Sequence, residues 1–227
     1  METLIHTLNK NSFFYDYITT LAYSQFGINE LFSRGFYLQK RNEFPNYLEF
    51  IDEIRQFNFP EEVEEEIFRT QTFTPRIFVS GFVSKNQKTV FRLDPNLSAL
   101  KFIDDTRGIT DTNIRLTHMT IISAFEKIMQ QNLDDSHVLQ FFRHIRNASA
   151  HNGKFHFDKK VIDPKNNVLI KKAHWKEFNI QPSLQGERLI KENKDDKEAF
   201  WDQGDFIEFL LDFENYYPKL VENIDKN

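Results

Sequence analysis

Three side chains near the middle of the chain, Arg146, Asn147 and His151, have the types and spacing for metal-independent phosphodiester chemistry. RNA carries its own nucleophile, the 2′-hydroxyl, so its cleavage needs only proton transfer and stabilisation of charge at phosphorus. Imidazole changes charge near neutrality, so His151 could take the 2′-hydroxyl proton or protonate the leaving 5′-oxygen. Arg146 is permanently charged and can fork onto phosphate oxygens where the transition state gathers negative charge. Asn147 lies one helical turn before His151 and could orient the imidazole or hold the ribose. One such helix offers a single imidazole. Two copies meeting across a two-fold axis would supply a second.

The element that must position these groups is the stretch from Phe141 to Gly153. Val138, Phe142, Ile145 and Ser149 recur at i, i+4, i+7 and i+11, which makes one core-facing stripe of a helix. At roughly 100° per residue, Arg143 and Asn147 point nearly opposite that stripe, with Arg146 and His151 to either side. Asn152-Gly153 is a stop signal, because Gly and Asn most readily adopt the left-handed conformation that closes a helix. Asp134, Asp135 or Ser136 can cap its start.

Other chemistries find no support. The chain has no phosphate-binding glycine loop, no His-Glu-x-x-His pair and no Gly-x-Ser-x-Gly elbow. The adjacent acids Asp104-Asp105 and Asp195-Asp196 sit in loop-like contexts where carboxylates are solvated. His151 and His156 straddle a helix end without an obvious third ligand, so no metal site is expected. The plain structural alternative is that Arg146 and His151 cap helix carbonyls or bridge to an acidic block.

Composition describes one large domain, or one domain with an appendage, at 227 residues with 40% apolar and 28% charged side chains. Phe is abundant, at 25 residues, so core material is not scarce. The absence of cysteine removes disulfides and thiolate metal sites and permits a reducing, cytoplasmic setting. Glu2, Lys10 and Asp16 interrupt the first twenty residues, so no signal peptide is expected, and no run suits a membrane span. Net charge is −5, yet Arg143 to Lys176 holds nine Lys or Arg against two Asp, together with His144, His151, His156 and His174. A solvated basic face is the bland reading of such a run. Placed directly after the polar helix face, its members Arg143, His144, Lys154, Lys159, Lys160, Lys171 and Lys172 make a phosphate-attracting surface for RNA.

In chain order, Phe14, Ile18, Leu21, Ile28 and Phe32 predict a helix from about Ser12 to Lys40. A second follows Pro45 through Phe57. Pro60 with Glu61 to Glu66 suits a helix first turn, a structural use of those acids. Ile77 to Leu93 fits either a helix or a hairpin joined through Lys85-Asn86-Gln87. Asp94-Pro95 and Asp104-Asp105 mark a break, which divides the chain into an N-terminal helical region, 1–103, open to packing on the same core, and a second region, 104–227. In the latter, Ile114 to Met129 is an amphipathic helix with His118 as a satisfied core histidine. Short strand-type runs at Phe155-His156-Phe157, Val161-Ile162 and Val168-Leu169-Ile170 predict a small β insertion near 155–172. Lys191 to Glu198 is a charged connector, and Asp205-x-x-Glu208 opens a last helix.

At Arg146-Asn147-x-x-x-His151 the sequence resembles the HEPN superfamily, whose members often carry Arg, a polar residue, three variable positions and His. The resemblance covers about Ile109 to Gly153 and the C-terminal helix. It implies a mostly α fold, a HEPN-type helical bundle, with the β insertion following the motif helix. It also implies a cofactor-free endoribonuclease in defence, abortive-infection or toxin–antitoxin biology, with Arg146 and His151 catalytic and Asn147 supportive. The expected partners are RNA, a second copy in a homodimer whose paired motifs form the cleft, and an antitoxin or regulatory protein. Some members have lost activity and act as dimerising or RNA-binding modules, which is the alternative function for this chain.

Overall fold

A computed structural model of the chain describes residues 10–40, 81–83, 90–92, 99–100, 106–190 and 199–222. These residues are mostly helical. In order they form α1 (Tyr15–Lys40), β1 (Gly81–Val83), β2 (Val90–Arg92), α2 (Thr106–Met129) and α3 (His137–Ala150). There follow a 3-10 turn (Lys159–Val161), β3 (Ile162–Asp163), β4 (Val168–Leu169), β5 (His174–Trp175), β6 (Phe178–Asn179) and a second 3-10 turn (Pro182–Leu184). The series ends with α4 (Gln203–Tyr216) and the single turn α5 (Lys219–Glu222). The helix expected from Pro45 to Phe57, the first turn at Pro60 to Glu66, Asp94-Pro95, Asp104-Asp105 and the connector Lys191 to Glu198 lie outside the described residues.

The chain divides into two units, one of Met1–Gln25 with Thr110–Asn227 and one of Phe26–Ile109. The start of α1 therefore shares a core with the C-terminal half. In the second unit, the stretch that fits either a helix or a hairpin carries an antiparallel strand pair, with Lys85-Asn86-Gln87 outside the described residues. β1 and β2 pair antiparallel, with Gly81 opposite Arg92, Phe82 opposite Phe91 and Val83 opposite Val90.

In the first unit, α3 is the centre of packing because its apolar residues exceed a single stripe. Val138, Leu139, Phe141, Phe142, Ile145 and Ala148 are all buried. Phe142 meets Phe125 of α2 at 5.4 Å between ring centroids, and Phe209 and Phe213 of α4 at 5.0 and 5.4 Å. Phe141, on the adjoining face, meets Trp175, Trp201 and Phe209 at 6.1, 5.5 and 5.3 Å. The abundant Phe is spent here. Truncation of either ring to Ala costs about 3–5 kcal/mol at such sites. Phe14, Ile18 and Leu21 of the α1 segment join the same core at the expected helical spacing.

The β excursion differs from its expected form. Phe155 to Phe157 is not a strand, and the pairing extends past residue 172. β3 pairs β4 and β5 pairs β6, each antiparallel. The second hairpin exists because it delivers Trp175 into the α3 core, where tertiary packing decides the local conformation. α4 also begins earlier than Asp205-x-x-Glu208 suggested. Asp202 is its N-cap, and the backbone N–H of Asp202 donates to the Asp205 carboxylate at 2.8 Å.

Candidate active site

Local chemistry defines both ends of α3. Ser136 is the N-cap, its hydroxyl accepting from the backbone N–H of Leu139 at 3.2 Å. At the other end His151 is the C-cap, and its N–H donates to Asn147 and Ala148 carbonyls at 3.0 and 3.1 Å. Asn152 and Gly153 then take φ of 56° and 72°, the left-handed pair that the Asn-Gly step predicted. Gly153 is required for a second reason. A Cβ there would stand 2.6 Å from Nε2 of His118, whose Nδ1 shares a hydrogen bond of 3.2 Å with the Ser149 hydroxyl. His118 is thus the satisfied structural histidine expected, and burial pushes its pKa down to about 4.

Beyond the reversal the chain runs extended beside residues 186–189. Phe155 N–H donates to the Glu187 carbonyl at 2.9 Å, Gly186 N–H returns to the Phe155 carbonyl at 2.9 Å, and Leu189 N–H reaches Gly153 at 2.7 Å. Alternation along extended backbone buries Phe155 and Phe157 and leaves His156 between them exposed. The His156 ring comes to rest 5.1 Å from that of His151, with 44° between their planes. His144, Asn147, His151, His156, Phe157, Asp158, Lys159 and Val161 line one open depression of about 510 Å³.

Arg146 does not line that depression. Its Nη2 pairs with Glu126 of α2 at 2.7 Å and its Nη1 donates to Asn147 Oδ1 at 3.4 Å, while its buried Nε has no partner among the described residues. Asn147 therefore links the guanidinium to the depression. The other expected RNA contacts separate. Lys159 forms part of the wall, and Lys160, Lys154 and Lys172 are exposed. Arg143 bonds Gln140 at 3.3 Å and lies 3.9 Å from Asp135, a carboxylate that also binds Lys171. His144 corrects the surface reading. It is buried against Phe157, and desolvation, with Arg143 beside it, pushes its pKa down to about 4. It is a neutral wall of the depression at physiological pH rather than a cation for phosphate.

His156 lines the depression and Gln185 contacts His156 without lining it; neither is among the site residues expected from the sequence. The Phe-His-Phe alternation was the available signal for His156. No sequence signal marks Gln185, which reaches the site across the chain reversal. Its Oε1 accepts the Phe157 N–H at 2.8 Å, and its Nε2 lies 3.3 Å from Nδ1 of His156. Among the described residues, no three His, Asp or Glu side chains gather as a metal site, and no helix is long and apolar enough to cross a membrane. The chain matches no family model, no curated protein and no solved structure.

Proposed function

We propose that the chain is a metal-independent endoribonuclease of HEPN type that cleaves by attack of the 2′-hydroxyl and acts in defence or toxin–antitoxin biology. One observation carries this reading: Asn147 and an exposed His151 share an open depression with cationic Lys159 where α3 ends. His151 acts on the 2′-hydroxyl proton, Asn147 holds the ribose or the imidazole, and Lys159 draws the backbone phosphates. Arg146 stands behind Asn147 and serves the phosphate once RNA displaces Glu126. Pairing of two copies and restraint by an antitoxin or regulatory partner belong to the same proposal.

The test is incubation of purified protein with total RNA in EDTA, beside His151→Ala. Cleavage by the wild type alone supports the reading. Cleavage abolished by chelation, or equal in the two samples, overturns it. Expression in a bacterial host should slow growth, and His151→Ala should relieve the effect. The ion pair that occupies Arg146 favours one second reading, a catalytically silent RNA-binding or dimerising module. RNA retained on the protein without cleavage would select it.

A further inference from the structure

Besides the buried ring of His144, two exposed imidazoles of the same chain, His151 and His156, face one depression, and the hydrogen bonds around His156 bear on what it can do. Phe157 N–H donates to Oε1 of Gln185 at 2.8 Å, which sets the orientation of the amide. Nε2 of Gln185 is then the group 3.3 Å from Nδ1 of His156. An amide N–H can only donate, so Nδ1 accepts, and the proton of the neutral ring resides on Nε2. In the neutral ring His156 thus presents one outward donor, Nε2–H, and its ring lies 5.1 Å from that of His151.

We propose that His156 is a functional residue of this site, donating its Nε2–H to a non-bridging oxygen of the phosphate whose neighbouring 2′-hydroxyl His151 deprotonates. The inference rests on the ribonuclease reading and gives it a charge-stabilising donor inside one chain. In the step, His151 takes the 2′-hydroxyl proton, the 2′-oxygen bonds to phosphorus, and the bond from phosphorus to the 5′-oxygen breaks. The departing 5′-oxygen takes the proton that His151 gained. The products are a 2′,3′-cyclic phosphate and a 5′-hydroxyl, with no net proton released. His156 keeps its proton throughout and stabilises charge on phosphorus. Gln185 is its positioning residue.

The experiment measures single-turnover cleavage of an RNA oligonucleotide in EDTA across pH for wild type, His151→Ala, His156→Ala and Gln185→Glu. His156→Ala is expected to lower the plateau rate about 10²–10³-fold, the usual loss for one such donor, without changing the shape of the pH profile. Gln185→Glu keeps the acceptor for Phe157 but turns Nδ1 into a donor. Nε2–H then survives only in the charged ring, so a new alkaline limb should appear. Wild-type rates in His156→Ala, with His151→Ala inactive, would overturn this inference and leave the ribonuclease reading standing. Loss of a pH limb in His156→Ala would make the residue a general acid and also overturn it. An inactive wild type, or activity retained in His151→Ala, would remove both.

Discussion

The guanidinium of Arg146 is engaged by Glu126, 2.7 Å away on the neighbouring helix, and turned toward Asn147 only through a long 3.4 Å bond. An isolated Arg-x4-His pattern places Arg and His in one site. Here a carboxylate twenty positions earlier in the chain holds the Arg instead. Both partners are partly exposed, so the pair is worth only about 0.2–1 kcal/mol and is weakened by salt.

A polyanion should therefore compete well with Glu126. Glu126→Gln removes the competitor and keeps the shape, so kcat/KM for RNA should rise by about 1.4- to 5-fold at low salt, the equivalent of that pair energy. Arg146→Ala should instead lower it by at least tenfold. A lower kcat/KM in Glu126→Gln would show that the carboxylate positions the guanidinium rather than blocks it.

Gly153→Ala tests the helix end. The left-handed φ of 72° costs a non-glycine residue about 1–2 kcal/mol. The added methyl also drives His118 off Ser149, forfeiting a hydrogen bond of about 1 kcal/mol. Urea unfolding should show a total loss of about 2–3 kcal/mol. In a His118→Ala background only the backbone part should remain. Equal losses in both backgrounds would mean that the ring yields without cost.

α3 and its stop were legible because a helix announces itself by period and a left-handed step by Asn-Gly. The exposure of His151 followed from that. The partners of these residues were not legible, since each comes from another element. Glu126 reaches Arg146 from α2, His118 fills the space that Gly153 leaves, and Gln185 orients His156 from beyond two hairpins. His144 shows why membership of a basic run misleads about exposure. Its ring lies beside Asn147 on the depression, yet the loop bearing Phe157 closes over it. Apolar spacing records what α3 buries against the helices, not what later folds over its polar side.

Glu214 provides a test of how the α1 start is attached to the core. Its buried carboxylate accepts the Phe14 N–H at 2.9 Å and the hydroxyl of Ser12, so a side chain of α4 caps α1. Glu214→Ala leaves both donors without this acceptor and should cost about 2–4 kcal/mol. Glu214→Gln retains one acceptor oxygen and should cost much less. Comparable losses for the two variants, read from thermal unfolding, would mean that charge rather than capping holds the segment.

Mild acid should unfold the protein earlier than its carboxylates would suggest. Burial lowers both His118 and His144 from 6.5 to about 4. Between those values the unfolded chain binds protons that the folded chain refuses, so stability is greatest above pH 6.5 and falls as pH drops toward 4. At about 1.4 kcal/mol per pH unit, each group can remove up to about 3 kcal/mol over the window, less for the part-exposed His118. Asp135 and Asp163, held below their usual range by hydrogen bonds from Lys171 and Lys165 respectively, lose their contribution only at still lower pH, below 3.8. Asp205, raised by its own burial, works in the opposite sense, gaining stability on acidification. His144→Gln removes one of the three histidines whose pKa is lowered, His137 being the third through partial burial and the charge of His174, so its urea midpoint should fall less steeply than the wild type's as pH drops from neutrality. Identical slopes would show that protons enter this half of the molecule elsewhere.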